Sequence, residues 1–349
     1  MNIFFDSESD NSERFARGHT NLIARLVVFA LLSVSILFVR PSWAGTASQP
    51  CQLREYASLP VVLLNFEPPL VAVNINGRAT HMWLDVGSAV SILDDGALSR
   101  LGLKSRPLPY TAARISVGSK EVTQYAVVPT FKLNELTLRN VEIRVQPGSP
   151  IPADIAIGEA IVGRLSPTAL ADVDVEVDLA HGKLNLFAPS SCMGAYWSKQ
   201  YAVVPMHQGP LGDWYFDMEL DGKRLQSKFA TSAVQSYIYT NVTKDVYGWD
   251  ARSPGVEAVH APNRGRLTHY RAMSLTTHGL SVMNAQIFLH QPIGCVRNGP
   301  ILRDKDGAEA FADCLGVTPL EIGLPVLKQL RLYMAVKQQK LYFTAAEAN

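Results

Sequence analysis

The sequence predicts a mostly β protein built from two related lobes with short helices between strands. Three observations predict it. Segments such as YAVVPTFKL, LTLRNVEIRV, VDVEVDL and KLNLF alternate apolar and polar residues or form short apolar runs, as strands do. Helix-like stretches are brief: DDGALSRLGL (94–103), EAIVGRL (159–165) and PVLKQLRL (325–332). Above all, the chain repeats itself, with four blocks of the first half recurring in the same order in the second.

The repeat begins with VAVNINGRATHMWLDVGSAVSIL (71–93) against FDMELDGKRLQSKFATSAVQSYI (216–238). Asn76-Gly77 and Asp221-Gly222 are hairpin-turn dipeptides between alternating segments. Gly77 lies eight residues before Asp85, and Gly222 eight before Ala230. Ser91 then corresponds to Ser236. LTLRNVEI (136–143) matches LSVMNAQI (280–287), IGEAIVGRL (157–165) matches IGLPVLKQL (322–330), and VDLAHGKLNL (177–186) matches MAVKQQKLYF (334–343). A first lobe over 56–187 and a second over 200–345 follow. Residues 188–199 join them, and 295–314 form an insertion without a first-half counterpart. Asp94 and Asp95 suit a helix start, and Gly102 a stop.

Composition bounds the rest. The chain has 349 residues and a formal net charge of +1, so no overall field draws it to nucleic acid, and no nucleic-acid motif or phosphate-cradling glycine loop is present. Residues 1–44 are expected to lie outside the fold. A polar head with Arg14, Arg17 and Arg25 precedes the apolar run Leu26–Val39, and Ser42 and Ala44 stand at −3 and −1 of a cleavage site before Gly45. This reads as a bacterial-type signal peptide. The alternative is an uncleaved anchor in the inner membrane, which is the one route to membrane contact. The body is expected to be periplasmic or secreted. Cys51, Cys192, Cys295 and Cys314 form no CxxC motif, so they are candidate disulfide partners rather than zinc ligands. Cys51 with Cys192, and Cys295 with Cys314, is one of the open pairings.

The ordered pieces INGR (75–78), WLDVGSAVSIL (83–93), LSRLGL (98–103), IAIG (155–158) and VDLAHGKLNL (177–186), echoed by LDGKR, KFATSAVQSYI, LEIGLPVL and KLYF, resemble the aspartic protease superfamily, specifically its bacterial retropepsin-like two-lobe members. The resemblance covers nearly all of residues 60–343. It implies pepsin-like lobes, a cleft between them, a peptide or protein ligand and no cofactor or metal.

It also implies where the chemistry sits, and what is missing. Such a site needs two facing carboxylates sharing a proton, one activating water and the other protonating the substrate carbonyl. Asp85 occupies one turn, with Val86, Gly87 and Ser88. The partner turn holds Ala230, Thr231 and Ser232. Alanine carries no proton. Val86 lacks the hydroxyl that relatives use to bond across the lobes, although Thr231 keeps one. Ser232 replaces the glycine of the second turn, which is therefore expected to have relaxed from the active geometry. A flap hairpin is expected at VGSKEV (117–122), with Gly118 near its tip and Tyr125 just after it; the alternative for Tyr125 is plain packing.

The expectation is thus a degenerate family member that holds an extended peptide without cutting it. The alternative is an active endopeptidase whose second carboxylate comes from elsewhere or from another chain. Asp213, Asp217, Asp221 and Asp245 lie in the second half, but none aligns with Asp85. Asp178, opposite Ala335 in the repeat, is read as surface drift. Ser88 and Ser232 have no sequence-evident histidine base, and His260, His269 and His278 lack metal-ligand spacing. NVT at 241–243 is a glycosylation sequon that a bacterial signal makes idle.

Overall fold

A computed structural model of the chain describes residues 2–5 and most of 52–346, leaving out 66, 114, 118–119, 149–159, 171, 210, 251, 262–264, 272–273, 293–299, 304–306 and 312–316. Residues 1–6 and 53–349 form one compact unit. It is mostly β and two-lobed, as the repeat predicts.

The two lobes share one topology. In the first, strands Leu70–Ile75 and Arg78–Leu84 form a hairpin. Strand Ile161–Leu165 runs parallel to Arg78–Leu84 and antiparallel to Ile92–Asp94, which in turn runs parallel to Leu136–Gln146. In the second, Trp214–Leu220 and Lys223–Phe229 form the hairpin. Leu320–Ile322 runs parallel to Lys223–Phe229 and antiparallel to Ser236–Tyr239, which runs parallel to Gln286–His290.

Local chemistry explains why the repeat survives such divergence. Both hairpins turn through two left-handed residues, Asn76 and Gly77 at φ 53° and 82°, Asp221 and Gly222 at φ 46° and 78°. That geometry suits the right-handed twist of the strands and selects Asn-Gly or Asp-Gly. Asn140 and Asn284 hold matching left-handed kinks at φ 53° and 56°. Helices Asp95–Leu101 and Thr240–Tyr247 both stop at a left-handed glycine, Gly102 and Gly248.

The lobes meet through hairpins Asp174–Asp178/Lys183–Phe187 and Leu330–Ala335/Lys340–Ala345. Their inner strands pair directly, Val175 with Met334 and Val177 with Leu332, so a continuous sheet crosses the seam. One apolar core runs under both lobes, with Val175, Leu184, Leu332 and Phe343 at the junction.

Several expectations change. EAIVGRL is not a helix: Ile161–Leu165 is a strand, and the helix is Pro167–Leu170. β-branched Ile161 and Val162 favour extension, and a Cβ on Gly163 would overlap the Ile92 carbonyl, so the backbones meet closely there. The repeat alignment shifts accordingly. By register, Arg164 corresponds to Glu321 and Ser166 to Gly323, not Ile157 to Ile322. IAIG itself lies outside the described residues. Asn2–Phe5, expected outside the fold, pairs antiparallel with Leu280–Met283. Its three apolar residues, two of them aromatic, suit an edge strand. The joining segment 188–199 is packed on the seam, where Tyr196 and Trp197 lie edge-on against Tyr333. Part of the 295–314 insertion forms strands Ile301–Arg303 and Glu309–Phe311, the latter beside Leu225.

Candidate active site

Asp85 leaves the end of strand Arg78–Leu84, and Ala230 leaves the end of Lys223–Phe229. The two turns are held alike. Asp85 N–H donates to the Leu165 carbonyl at 2.8 Å, and Ala230 N–H to that of Ile322 at 3.0 Å. Ser88 N–H donates back to Asp85 O at 3.2 Å, and Ala233 N–H to Ala230 O at 3.0 Å. The second turn has therefore not relaxed. Its backbone keeps the form of the first, because these bonds need no particular side chain at 230 or 232.

The turns grip each other across the seam. Thr231 Oγ1 accepts from Val86 N–H at 3.1 Å and donates to the Leu84 carbonyl at 2.7 Å. Val86 has no hydroxyl to return the gesture and packs into the core instead. Gly87 lies flat against the second lobe, where a Cβ would overlap the Phe229 carbonyl oxygen. Behind each turn a serine steadies the neighbouring element. Ser91 Oγ accepts from Ser166 N–H at 2.9 Å, and Ser236 Oγ accepts from Gly323 N–H at 3.0 Å. Ser166 Oγ also donates to the Ser88 carbonyl at 2.6 Å.

Asp85 is buried at 9% exposure, and Ala230 at 3%. Burial pushes the Asp85 carboxyl above the ordinary carboxylate range. Lys228, a hydrogen bond from Ser232 and Arg164 pull it part of the way back, while the Glu321 charge pushes it further up.

Lys228, Glu321 and Arg164 are the functional candidates that the motif comparison missed. Lys228 and Glu321 are direct neighbours on parallel strands, and Lys228 Nζ lies 3.1 Å from Glu321 Oε1. Burial draws the Lys228 ammonium down, but Glu321 by charge and hydrogen bond, and Asp85 by charge, more than reverse this and hold it protonated. The signal was a charged residue one step before each core residue at the end of the strand, Lys228 before Phe229 and Glu321 before Ile322. The site that carries one carboxylate at the turn therefore has a buried ion pair beside it.

The other candidates scatter. Asp213 is buried, burial raises its carboxyl, and Lys228 acts against that rise. Asp217 pairs with Arg224 at 3.5 Å, and Asp221 caps Ser274 N–H at 2.6 Å. Asp178 is buried, not surface: it binds the His181 ring at 2.8 Å and lies 3.5 Å from Arg331. The flap hairpin forms as Ile115–Val117 and Lys120–Val122, with Gly118 outside the described residues. Tyr125 is half-buried on the following strand, opposite Arg144 and Arg106. His269 is buried 3.5 Å from Glu257, apart from His278 at a hairpin turn. Cys192 is disulfide-bonded; Cys51, Cys295 and Cys314 lie outside the described residues. Among the described residues no cluster of His, Cys, Asp and Glu is set to hold a metal.

Comparison with known proteins gives three results. Residues 71–160 match the family described as aspartyl protease. No curated protein matches the chain. Solved structures similar to it include an aspartic proteinase from Irpex lacteus, at 13% identity and TM-score 0.47 over 83% of this chain and 97% of that one. Basic 7S globulin from soybean follows at 8% identity and TM-score 0.46, over 85% and 96%. Conglutin gamma from lupine seeds has 7% identity and TM-score 0.46, over 84% and 95%. Residues 71–160, which hold the Asp85 turn, the first helix and nearly all of the first hairpin, are thus similar to the aspartyl protease family.

Proposed function

We propose that this protein is an exported, catalytically degenerate relative of the aspartic proteases that holds an extended peptide between its lobes. One observation carries the reading. A buried carboxylate, Asp85, faces a turn whose backbone is intact but whose acid position is Ala230. Hydrolysis by this design needs one acid to activate water and a second to protonate the carbonyl, and a general acid–base step is worth ~100- to 10,000-fold. Asp85 alone supplies half of that chemistry. Backbone pairing with the flap and pockets for alternate side chains would supply binding. Export follows from the leader-like segment before Gly45, and cysteine pairing suits an oxidising compartment.

One observation favours a second reading. The Glu321 charge acts on Asp85, so Glu321 stands where a substitute acid would be useful. Its pairing with Lys228 argues against a proton on it.

The test is cleavage of a diverse peptide library by the full chain between pH 3 and 8. The native chain is expected to be inactive, and Ala230→Asp to gain activity, because the turn is already shaped for the acid. Native activity abolished by both D85N and E321Q would replace the proposal with the second reading.

A further inference from the structure

The two faces that meet at Asp85 differ in charge. Strand register puts Trp83, Arg164, Ile92, Arg144, Tyr125 and Arg106 in one row across the first lobe, each the direct cross-strand neighbour of the next. Direct neighbours share a face. The alternate residues, Leu84, Leu165, Leu93 and Val145, belong to the core, so the row looks the other way. Its Arg164 end acts on the Asp85 carboxyl, which fixes where the row starts.

These arginines are short of partners. None is ion-paired to a carboxylate within 4 Å among the described residues. Arg144 Nη1 is buried with no hydrogen-bond partner, and Nη2 reaches only the Ala113 carbonyl at 3.5 Å. The matching second-lobe row is different: Lys228 is paired with Glu321, and Tyr237, Phe288 and His269 follow, His269 lying 3.5 Å from Glu257. On the first-lobe face the unpaired charge among the described residues, apart from Asp85 itself, is therefore cationic.

We propose that the first-lobe face binds an acidic extended peptide whose carboxylates pair with Arg164, Arg144 and Arg106. The inference rests on the peptide-holding reading and adds the ligand's chemistry. Guanidinium forks bind carboxylates in two parallel hydrogen bonds, and a buried guanidinium nitrogen lacking a partner is where such a bond gains most. The three arginines stand on every second strand, about 10 Å apart at ordinary strand spacing, close to one turn of an extended polyproline-II chain, in which side chains three residues apart share a face. Ile92, buried, and Tyr125, half-buried, are the apolar steps between the charges.

The experiment measures binding of three fluorescent peptides to the full chain by anisotropy: one with glutamate at every third position, one with those positions glutamine, and one with them lysine. A single-stranded oligonucleotide serves as a fourth probe. The acidic peptide should bind at least about tenfold more tightly than the glutamine peptide, the size expected of one charge-assisted pairing. High salt should narrow that preference, and Arg106→Gln and Arg144→Gln should each reduce it. Equal binding of the acidic and glutamine peptides overturns the charge inference and leaves peptide holding intact. No binding of any peptide overturns both. Tighter binding of the oligonucleotide than of any peptide overturns the choice of ligand.

Discussion

Asp85 is a carboxyl that the fold buries in a turn whose counterpart in the second lobe holds Ala230. Its titration is raised because burial disfavours the charged form more than Lys228, Ser232 and Arg164 favour it. The sign of the stability effect follows. An acid raised in the folded state adds stability below its ordinary value of 3.8, and that contribution is lost as pH rises through the folded value. Above that ordinary value burial of Asp85 counts against folding, because the unfolded chain ionises the carboxyl freely and the folded one does not. Asp85→Asn removes the charge and keeps the shape, so its thermal midpoint should exceed the native one near neutral pH. The gain should fade as pH drops below 3.8. Thermal melts of both chains across that range decide it, and a gain that persists at low pH would mean that burial of the charge is not its source.

At the scale of elements, the hairpins show which features the sequence exposes. Asn-Gly and Asp-Gly were legible because two successive left-handed residues admit few alternatives. A side-chain methyl on Gly77 would meet no atom within 4 Å, so Gly77→Ala tests the backbone alone. Left-handed geometry should cost it about 1–2 kcal/mol. Gly96, equally open but in the first turn of helix Asp95–Leu101 with no left-handed angle, is the control. Gly96→Ala should gain about 0.4–1 kcal/mol. Urea midpoints of the pair check both signs. Strand Ile161–Leu165 was not legible, since EAIVGRL carries helix-like spacing and only the close approach of Gly163 to Ile92 decides for a strand. Lys228 and Glu321 escaped for a similar reason. Motif comparison reads the turn, whereas these two lie on the strands that lead into it and meet only through long-range pairing.

Across the whole molecule, the two lobes are held together at the seam. Strand Asp174–Asp178 is buried along its length although three of its five residues are acidic, because each finds partners in the other half. Asp174 accepts from Tyr333 Oη at 2.9 Å and from Val336 N–H at 2.8 Å. Glu176, with no exposed surface, accepts from Arg331 Nε at 2.7 Å and from the Tyr196 hydroxyl. The Arg331 guanidinium also lies 4.4 Å from the centre of the Trp197 ring, so the inter-lobe segment is clamped into the same cluster. A buried carboxylate tolerates this position only while its cation is present. Arg331→Met should therefore cost about 3–5 kcal/mol by leaving Glu176 charged and unpaired. Adding Glu176→Met in the same chain should return much of that loss, since an apolar pair of similar size avoids the desolvation of both ions. Urea unfolding of the single and double variants separates the two effects. A small loss in the single variant would mean that Tyr196 and Asn185, which donates to Glu176 Oε2 at 3.2 Å, satisfy the carboxylate by themselves. The lobes would then be joined by their shared core and paired strands, with the ion pair incidental to the seam.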